Sequence, residues 1–285
     1  MNLDGVRMTY PVIDLDGAIV AVTGGARGIG KSTADLFSAR GATVCVGDLD
    51  GAQCSPAPRV RGYTVDVTSR NSFAEFVTAV IERHGRIDVL VNNAGVMPLG
   101  DFLSEDDAIS RTTFEVNVWG LIHGMRLVLP HMIARGHGHI VNVASMAGKL
   151  PIPGMAVYNA SKFAAVGLSA AVREEYRDSG VSVTTVLPSA VRTRLASGVP
   201  LGRGLPTVEP EAVARAIVGS VASRRAQITV PRYLAGWDLL SAVTPPAVIG
   251  LARRAIRDRR ALTSVDHELR DGYQKTIAAQ AGGRR

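Results

Sequence analysis

Tyr158 and Lys162 stand four residues apart in the run Tyr158-Asn159-Ala160-Ser161-Lys162. On a helix that spacing puts a phenol and an ammonium on one face, about 5–6 Å apart at Cβ. Ser145 precedes the tyrosine by thirteen residues and follows an apolar run, His139-Ile140-Val141-Asn142-Val143-Ala144, that reads as a strand. A hydroxyl at a strand end, a phenol and a cation are the parts of a proton-transfer site. The Tyr/Lys spacing alone is common on amphipathic helices, so the surrounding elements must decide whether the three groups meet.

The first of those elements is the short apolar run 18–22, the pattern of a strand buried on both faces. It leads into Thr23-Gly24-Gly25-Ala26-Arg27-Gly28-Ile29-Gly30 and then a helical pattern that stops at Gly41. A glycine turn between strand and helix lets the backbone approach a pyrophosphate, whose charge the helix N-terminus stabilises. A plain tight turn is the alternative. Asp48 lies at the end of the next strand, 43–47, eighteen residues after Gly30. An acid at about that distance hydrogen-bonds the adenosine ribose in NAD-type sites and would repel a 2′-phosphate. Arg27 points the other way, because a basic residue inside the turn can serve such a phosphate. NAD is therefore favoured over NADP.

Downstream, strands are expected at 60–65, 87–91, 139–144, 181–187 and Gln227–Val230, with amphipathic helices at 71–84, from Tyr158 to about 178, and at 211–223. One long helix is expected over 112–134, kinked at Pro130. It carries Asn117 among apolar neighbours, and a buried amide without partners costs about 1–3 kcal/mol. Residues 50–59 read as a loop or degenerate helix, and 192–206 as a mobile segment over the site. Strands alternating with helices imply a parallel sheet covered on both faces.

Taken together, these residues resemble the short-chain dehydrogenase/reductase family over roughly residues 18–230. The resemblance rests on an ordered set: T-G-x-x-x-G-I-G beginning at Thr23, Asp48, Asp66-Val67, Asn92-Asn93-Ala94-Gly95, Asn117, Ser145, Tyr158 and Lys162. It implies an α/β fold, a Rossmann-type doubly wound, mostly parallel sheet of seven strands with helices on both faces. It also implies an oxidoreductase in which Tyr158 is the general acid/base, Lys162 lowers its pKa and holds the nicotinamide ribose, Ser145 holds the substrate oxygen, and Asn117 holds a relay water. A free tyrosine titrates near 10, so work at neutral pH asks for about 4 kcal/mol. One cation at about 4 Å in a medium of effective dielectric ~20 supplies that much. For the cofactor, the resemblance assigns Gly24, Arg27, Gly28, Ile29 and Gly30 to the pyrophosphate, and Asp48 to the ribose. Asp66 and Val67 are assigned to the adenine, supported by Asn93, Ala94 and Gly95, with Tyr158, Lys162, Pro188, Val191 and Thr193 also assigned to the cofactor. Two departures stand out: Ser189 replaces the family's frequent glycine after Pro188, and 50–59 is short for a full helix.

Fold does not name a substrate. The candidate pocket residues Met146, Ala147, Leu150, Ile152, Met155, Ala190 and Leu195 are nearly all apolar, and the run Ser161-Lys162-Phe163-Ala164-Ala165-Val166-Gly167 is similar to members acting on retinol, hydroxysteroids and long-chain alcohols. A lipophilic alcohol or ketone is therefore expected, and no metal. The alternatives are an NADP(H)-dependent carbonyl reductase of the same family, or a non-catalytic cofactor-sensing or scaffold protein.

The bulk properties fit such an enzyme. The 285 residues are 46% hydrophobic and 20% charged, and carry two cysteines, too few for a disulfide framework. The N-terminus has no signal-peptide pattern and no run is long enough to span a membrane, so a cytoplasmic, soluble protein is expected. The formal charge is +7, and residues 251–285 hold nine basic against four acidic residues. A nucleic-acid partner is disfavoured, since such proteins spread a basic stripe over the folded body. Residues 1–231 are expected to form the dehydrogenase domain, with a substrate loop at 192–210. Residues 232–285 form an extension, apolar and then basic, packed on the body or a partner subunit, covering the pocket, or making a weak membrane-surface contact. A dimer or tetramer is expected from the helices 112–134 and 158–176.

Overall fold

The computed structural model describes residues 10–51, 54, 57–198, 207–237, 240, 244 and 266–282. Seven strands form one parallel sheet: β1 (Ile19–Thr23), β2 (Thr43–Asp48), β3 (Val60–Thr64), β4 (Val89–Asn92), β5 (Gly138–Val143), β6 (Val181–Pro188) and β9 (Gln227–Val230), in the order β3-β2-β1-β4-β5-β6-β9. The chain winds outward from β1 in one direction and resumes at β4 in the other, with Val20 opposite Val44 on one side and Val89 on the other. Ligands of such sheets bind beyond the strand C-termini at this reversal. A separate two-stranded pair, β7 (Ala190–Val191) with β8 (Thr207–Val208), follows β6.

The central strands are buried along their whole length because successive side chains enter two different cores. Ile19 and Ala21 pack with Phe73, Phe76 and Val80 of α2 (Arg70–His84) and with Met125 and Val128 of α4 (Gly120–Ala134). Val20 and Val22 pack with Ala34 and Phe37 of α1 (Gly28–Ala39) and with Val213 and Ile217 of α6 (Pro210–Ser223). Helix ends follow local chemistry: Ser69 accepts from Ser72 N to cap α2, and Gly85, at φ 78°, closes it.

The helix expected over 112–134 differs. It begins earlier as α3 (Asp107–Phe114), capped by Asp106, and is interrupted not at Pro130 but by a π turn over Glu115–Trp119 before continuing as α4 through Pro130. The wider turn lies where Asn117 bonds another segment, a context in which π turns recur. The last described element, α7 (His267–Gly282), packs on α3 and buries Ile277 in the main core. The arginine-rich segment 251–262, residues 199–206 of the substrate loop, and part of 50–59 lie outside the described residues. No described helix is long and apolar enough to cross a membrane.

At the opposite edge of β5, His139 is fully buried between Ser182 Oγ (2.8 Å from Nδ1) and Ser220 Oγ (2.9 Å from Nε2). Ser220 donates to Ile217 O, so it accepts from Nε2, and Nδ1 is left to accept from Ser182, itself an acceptor for Arg224. Burial, then the Arg224 charge, holds the imidazole pKa well below its ordinary value. The folded protein therefore keeps this ring neutral while the unfolded chain protonates it below about pH 6.5. Its contribution to stability is complete above that pH and is lost as pH falls. We expect the melting temperature to decline from about pH 6.5 downward, and less steeply in His139→Gln. Equal slopes in the two proteins would contradict this assignment.

Candidate active site

Tyr158 lies in the first turn of α5 (Ala156–Glu175) and Lys162 one turn later, both buried. The Lys162 Nζ is 5.7 Å from the centre of the Tyr158 ring and donates to Val143 O at 3.2 Å, which anchors it to the end of β5. Two residues beyond Val143, Ser145 begins a short 3₁₀ turn over Met146–Gly148, accepting from Ala147 N at 3.1 Å. Its hydroxyl is also near enough to Tyr158 to oppose the rise in the phenol's pKa. The strand end and the helix start thus bring the serine, phenol and ammonium together.

Asn117 is placed beside them, but its amide is engaged by protein. Its Oδ1 accepts from Val96 N at 2.9 Å, and its Nδ2 donates to Val96 O at 2.9 Å and Ser161 Oγ at 3.0 Å. Both amide hydrogens brace the loop after β4 against α5. The electrostatics also differ from expectation. Burial raises the Tyr158 pKa to about 12, with Ser145 opposing and Tyr273 adding to the rise. Burial lowers the Lys162 pKa to about 8. Desolvation works against both charged forms and outweighs the attraction between them.

The glycine turn sits one strand away. Gly24 has φ 65°, and a Cβ there would lie 2.7 Å from Ala94 Cα, so only glycine permits this approach of the β1 and β4 loops. Asn93 Nδ2 donates to Thr23 O and Gly24 O, while Thr23 Oγ1 accepts from Asn93 N and Ala94 N. No side chain caps the first turn of α1, which leaves its N–H groups, from Gly28, Ile29 and Gly30 on, open to an anion. Asp48, at the end of β2, accepts from Ala26 N at 3.0 Å, and Arg27 is ion-paired to Asp50 rather than free. Asp66 accepts from Thr68, and Val67, buried, packs beneath Gly120. On the far side, a Cβ on Gly28 would be 3.2 Å from Thr193 Cγ2, so the segment after β6 meets the glycine turn. Pro188 ends β6 and Val191 is buried in β7. Ser189 has no positive φ and donates its N–H to Val230 O, so the backbone there does not need the glycine. An uncapped helix start, a turn without side chains and an acid at the neighbouring strand end fit a dinucleotide.

Of the apolar residues expected at the substrate, Met155 and Leu195 join Ala147, Ile152 and Tyr158 in one cluster. Met146 instead faces the main core, Leu150 stands half-buried outside the cluster, and Ala190 is engaged in the β7–β8 pair. The cluster also contains Met97 and Leu99, which sequence reasoning passed over although Val96-Met97-Pro98-Leu99 is an apolar loop directly after the Asn93-Ala94-Gly95 segment. Arg270 and Tyr273 of α7 were missed as well. Their signal was the helical face Arg270, Tyr273, Ile277 and Ala281, inside a segment otherwise polar.

A dinucleotide turn and a buried phenol–ammonium pair on one sheet edge are the equipment of oxidoreductases that act on CH–OH groups with a nicotinamide cofactor. The chain belongs to the short chain dehydrogenase family, whose model matches residues 18–202. Among its relatives, the rat protein named estradiol 17-beta-dehydrogenase 11 is 32% identical over 251 residues, spanning 84% of each chain. The 3-oxoacyl-[acyl-carrier-protein] reductase FabG of Thermotoga maritima is 32% identical over 236 residues, 75% of this chain and 94% of that one. A short chain dehydrogenase/reductase from Burkholderia phymatum, solved in complex with NAD, superposes with a TM-score of 0.73 at 25% identity, covering 81% of this chain and 94% of its own. A 3-ketoacyl-(acyl-carrier-protein) reductase from Brucella melitensis, complexed with NADH, gives 0.69 at 25% identity, covering 76% and 99%.

Proposed function

We propose that this enzyme exchanges hydride between NAD(H) and a lipophilic alcohol or ketone, with Tyr158 giving or taking the proton. The observation that carries the reading is the surroundings of Tyr158: its phenol is buried in an apolar cluster with Met97, Leu99, Ala147 and Met155, flanked by Ile152 and Leu195. Such a lining rewards apolar surface. The relative named for estradiol, itself a lipophilic alcohol, agrees with it.

The nicotinamide ring, when bound, supplies or accepts the hydride. This chain's residues handle the oxygen and the proton. Ser145 Oγ would hold the substrate oxygen beside the Tyr158 hydroxyl. Tyr158, kept protonated by burial, is ready to donate in reduction. Lys162, tethered to Val143 O, would reach the nicotinamide ribose and steady the phenolate when Tyr158 acts as base. Asp48 would take the adenosine ribose, and the pairing of Arg27 with Asp50 favours NAD over NADP. The half-exposed aromatics Phe114, Trp119 and Phe163 on the outer helices suit a dimer or tetramer contact. Two free cysteines fit a reducing, cytoplasmic setting.

Because the Tyr158 pKa is raised, its acid form prevails through neutral pH, and its base form grows as pH rises. Alcohol oxidation should therefore climb through the alkaline range while ketone reduction stays level until the phenol titrates. Steady-state assays of both directions over pH, on a graded series of aliphatic and cyclic alcohols and ketones with NAD(H), test both parts. Oxidation independent of pH between about 6 and 9 would remove Tyr158 as the base. Turnover confined to small polar hydroxy acids would remove the substrate class.

A further inference from the structure

We propose that α7 is the outer wall of the substrate cleft, with Tyr273 a specificity-determining residue beside Tyr158 and Arg270 the positioning residue that holds it there. This rests on the reading of Tyr158 as the proton-transfer group.

α7 binds the two loops that flank Tyr158, and almost every bond runs to backbone. Arg270 Nη1 donates to Leu195 O at 2.6 Å and Ser197 O at 3.2 Å, and Nη2 donates to Met97 O. The Tyr273 hydroxyl accepts from Met97 N at 3.1 Å, and Gln274 Nε2 donates to Leu99 O at 3.2 Å. At the helix start, Asp266 N donates to Gly198 O at 2.8 Å. Gly198 has φ 72°, and a Cβ there would fall 2.4 Å from Asp266 O, so the loop can meet the helix this closely only as glycine. Met97 and Leu99 belong to the apolar cluster around Tyr158, and Leu195 packs against it. The helix therefore ties together the loop after β4 and the loop after β7 across the substrate side of the site.

Arg270 is 1% exposed, and among the described residues no carboxylate pairs with it and its Nε has no partner. Its guanidinium stacks 4.5 Å from the Tyr273 ring centre, and burial lowers its pKa from the ordinary value. Burying a cation without an anion is costly, and an apolar side chain would attach a helix to a surface at less expense. What only the planar fork of arginine achieves is to donate to carbonyls of two loops at once while stacking on a ring. The cost is therefore spent on fixing Tyr273 and both loops in one arrangement. The Tyr273 hydroxyl is bonded to Met97, which packs with Tyr158, so the second phenol stands where the main core meets the apolar cluster of the cleft. Its ring then limits the bulk of the substrate on that side.

The test uses the full chain, NAD as cofactor, and a series of secondary alcohols of increasing bulk. We expect Tyr273→Ala to lower kcat/KM for the smallest alcohols about tenfold, through KM with kcat little changed, and to move the preference toward bulkier ones. Tyr273→Phe keeps the ring and should restore the wild-type size profile. In Arg270→Ala, amide exchange at Met97 and Asp266 should rise about tenfold or more, with NADH affinity unchanged. If that variant does not fold, Arg270→Lys, a cation without the fork, should show the same loosening. A Tyr273→Ala size profile equal to wild type, or unchanged exchange in the Arg270 variants, overturns the proposal. Turnover surviving in Tyr158→Phe would instead overturn the chemistry, and should no alcohol be turned over, the exchange measurement alone decides on α7.

Discussion

Replacing Tyr158 by phenylalanine is expected to lower kcat by about 10²–10⁴-fold, the usual contribution of a positioned general acid or base. The ring remains in the same apolar cluster, so the core loses no volume. Ser145, next to the phenol, still accepts from Ala147 N, and loss of the hydroxyl should cost stability no more than about 0.5–1.5 kcal/mol, the contribution of one hydrogen bond. In the proposed mechanism, what disappears is the proton donor at the substrate oxygen, which would leave Ser145 to orient an oxygen that nothing protonates. In the proposed site, the glycine turn, Asp48, Lys162 and the loop after β6 would still hold the cofactor. NADH binding, followed by titration, should thus stay within about twofold of wild type while turnover collapses, the signature of an interaction made in the transition state. A variant retaining turnover within about tenfold would show that another group handles the proton.

The electrostatics give this prediction a sharper form than the Tyr–Lys spacing did. From spacing, a lysine near the tyrosine should bring the phenol toward neutral pH. In the fold, the Nζ lies 5.7 Å from the ring centre and both groups are buried, so desolvation raises the phenol and lowers the ammonium. The protein by itself therefore stores the proton on Tyr158. Any shift toward the phenolate has to come with the positive charge of the oxidised nicotinamide ring, which would link the acid–base function to cofactor binding. Alcohol oxidation should for that reason be the direction that is sensitive to pH.

The strands were legible because a strand buried on both faces is mostly apolar and β-branched: 18–22 is apolar throughout, and 181–187 alternates valines with serine and threonine before Leu187. Their outward order from β1 and β4 came with the family resemblance and not from any single residue. The π turn was not legible: it depends on Asn117 bonding Val96 and Ser161, contacts 21 and 44 residues away in the chain. Nor was the role of Met146, whose neighbour Ala147 faces the cleft while Met146 faces the core, a distinction set by the 3₁₀ turn they share. α7 escaped because its core-facing side is narrow, and because its most buried large residue is an arginine, which composition assigns to the surface.

The cofactor preference admits an equally direct test. Asp48 accepts from Ala26 N at 3.0 Å and Asp50 N at 3.3 Å, so it shapes the glycine turn besides its proposed role at the ribose. Asp48→Asn separates these roles, since the amide oxygen can keep the bond to Ala26 while the negative charge is gone. Hydrogen bonds to a charged acceptor contribute about 1.5–3 kcal/mol, so NADH affinity should fall by about 10–100-fold. NADPH should improve over the same step, because its 2′-phosphate no longer meets a carboxylate. Adding Asp50→Asn removes the acid paired with Arg27. The freed guanidinium, with a fork that fits phosphate, should carry the double variant to a preference for NADPH. Paired titrations of the wild type and the two variants with NADH and NADPH read the whole series. Tighter NADPH binding by the wild-type protein would mean that Arg27 leaves Asp50 for the phosphate even with Asp48 present, and the argument from Asp48 would fail.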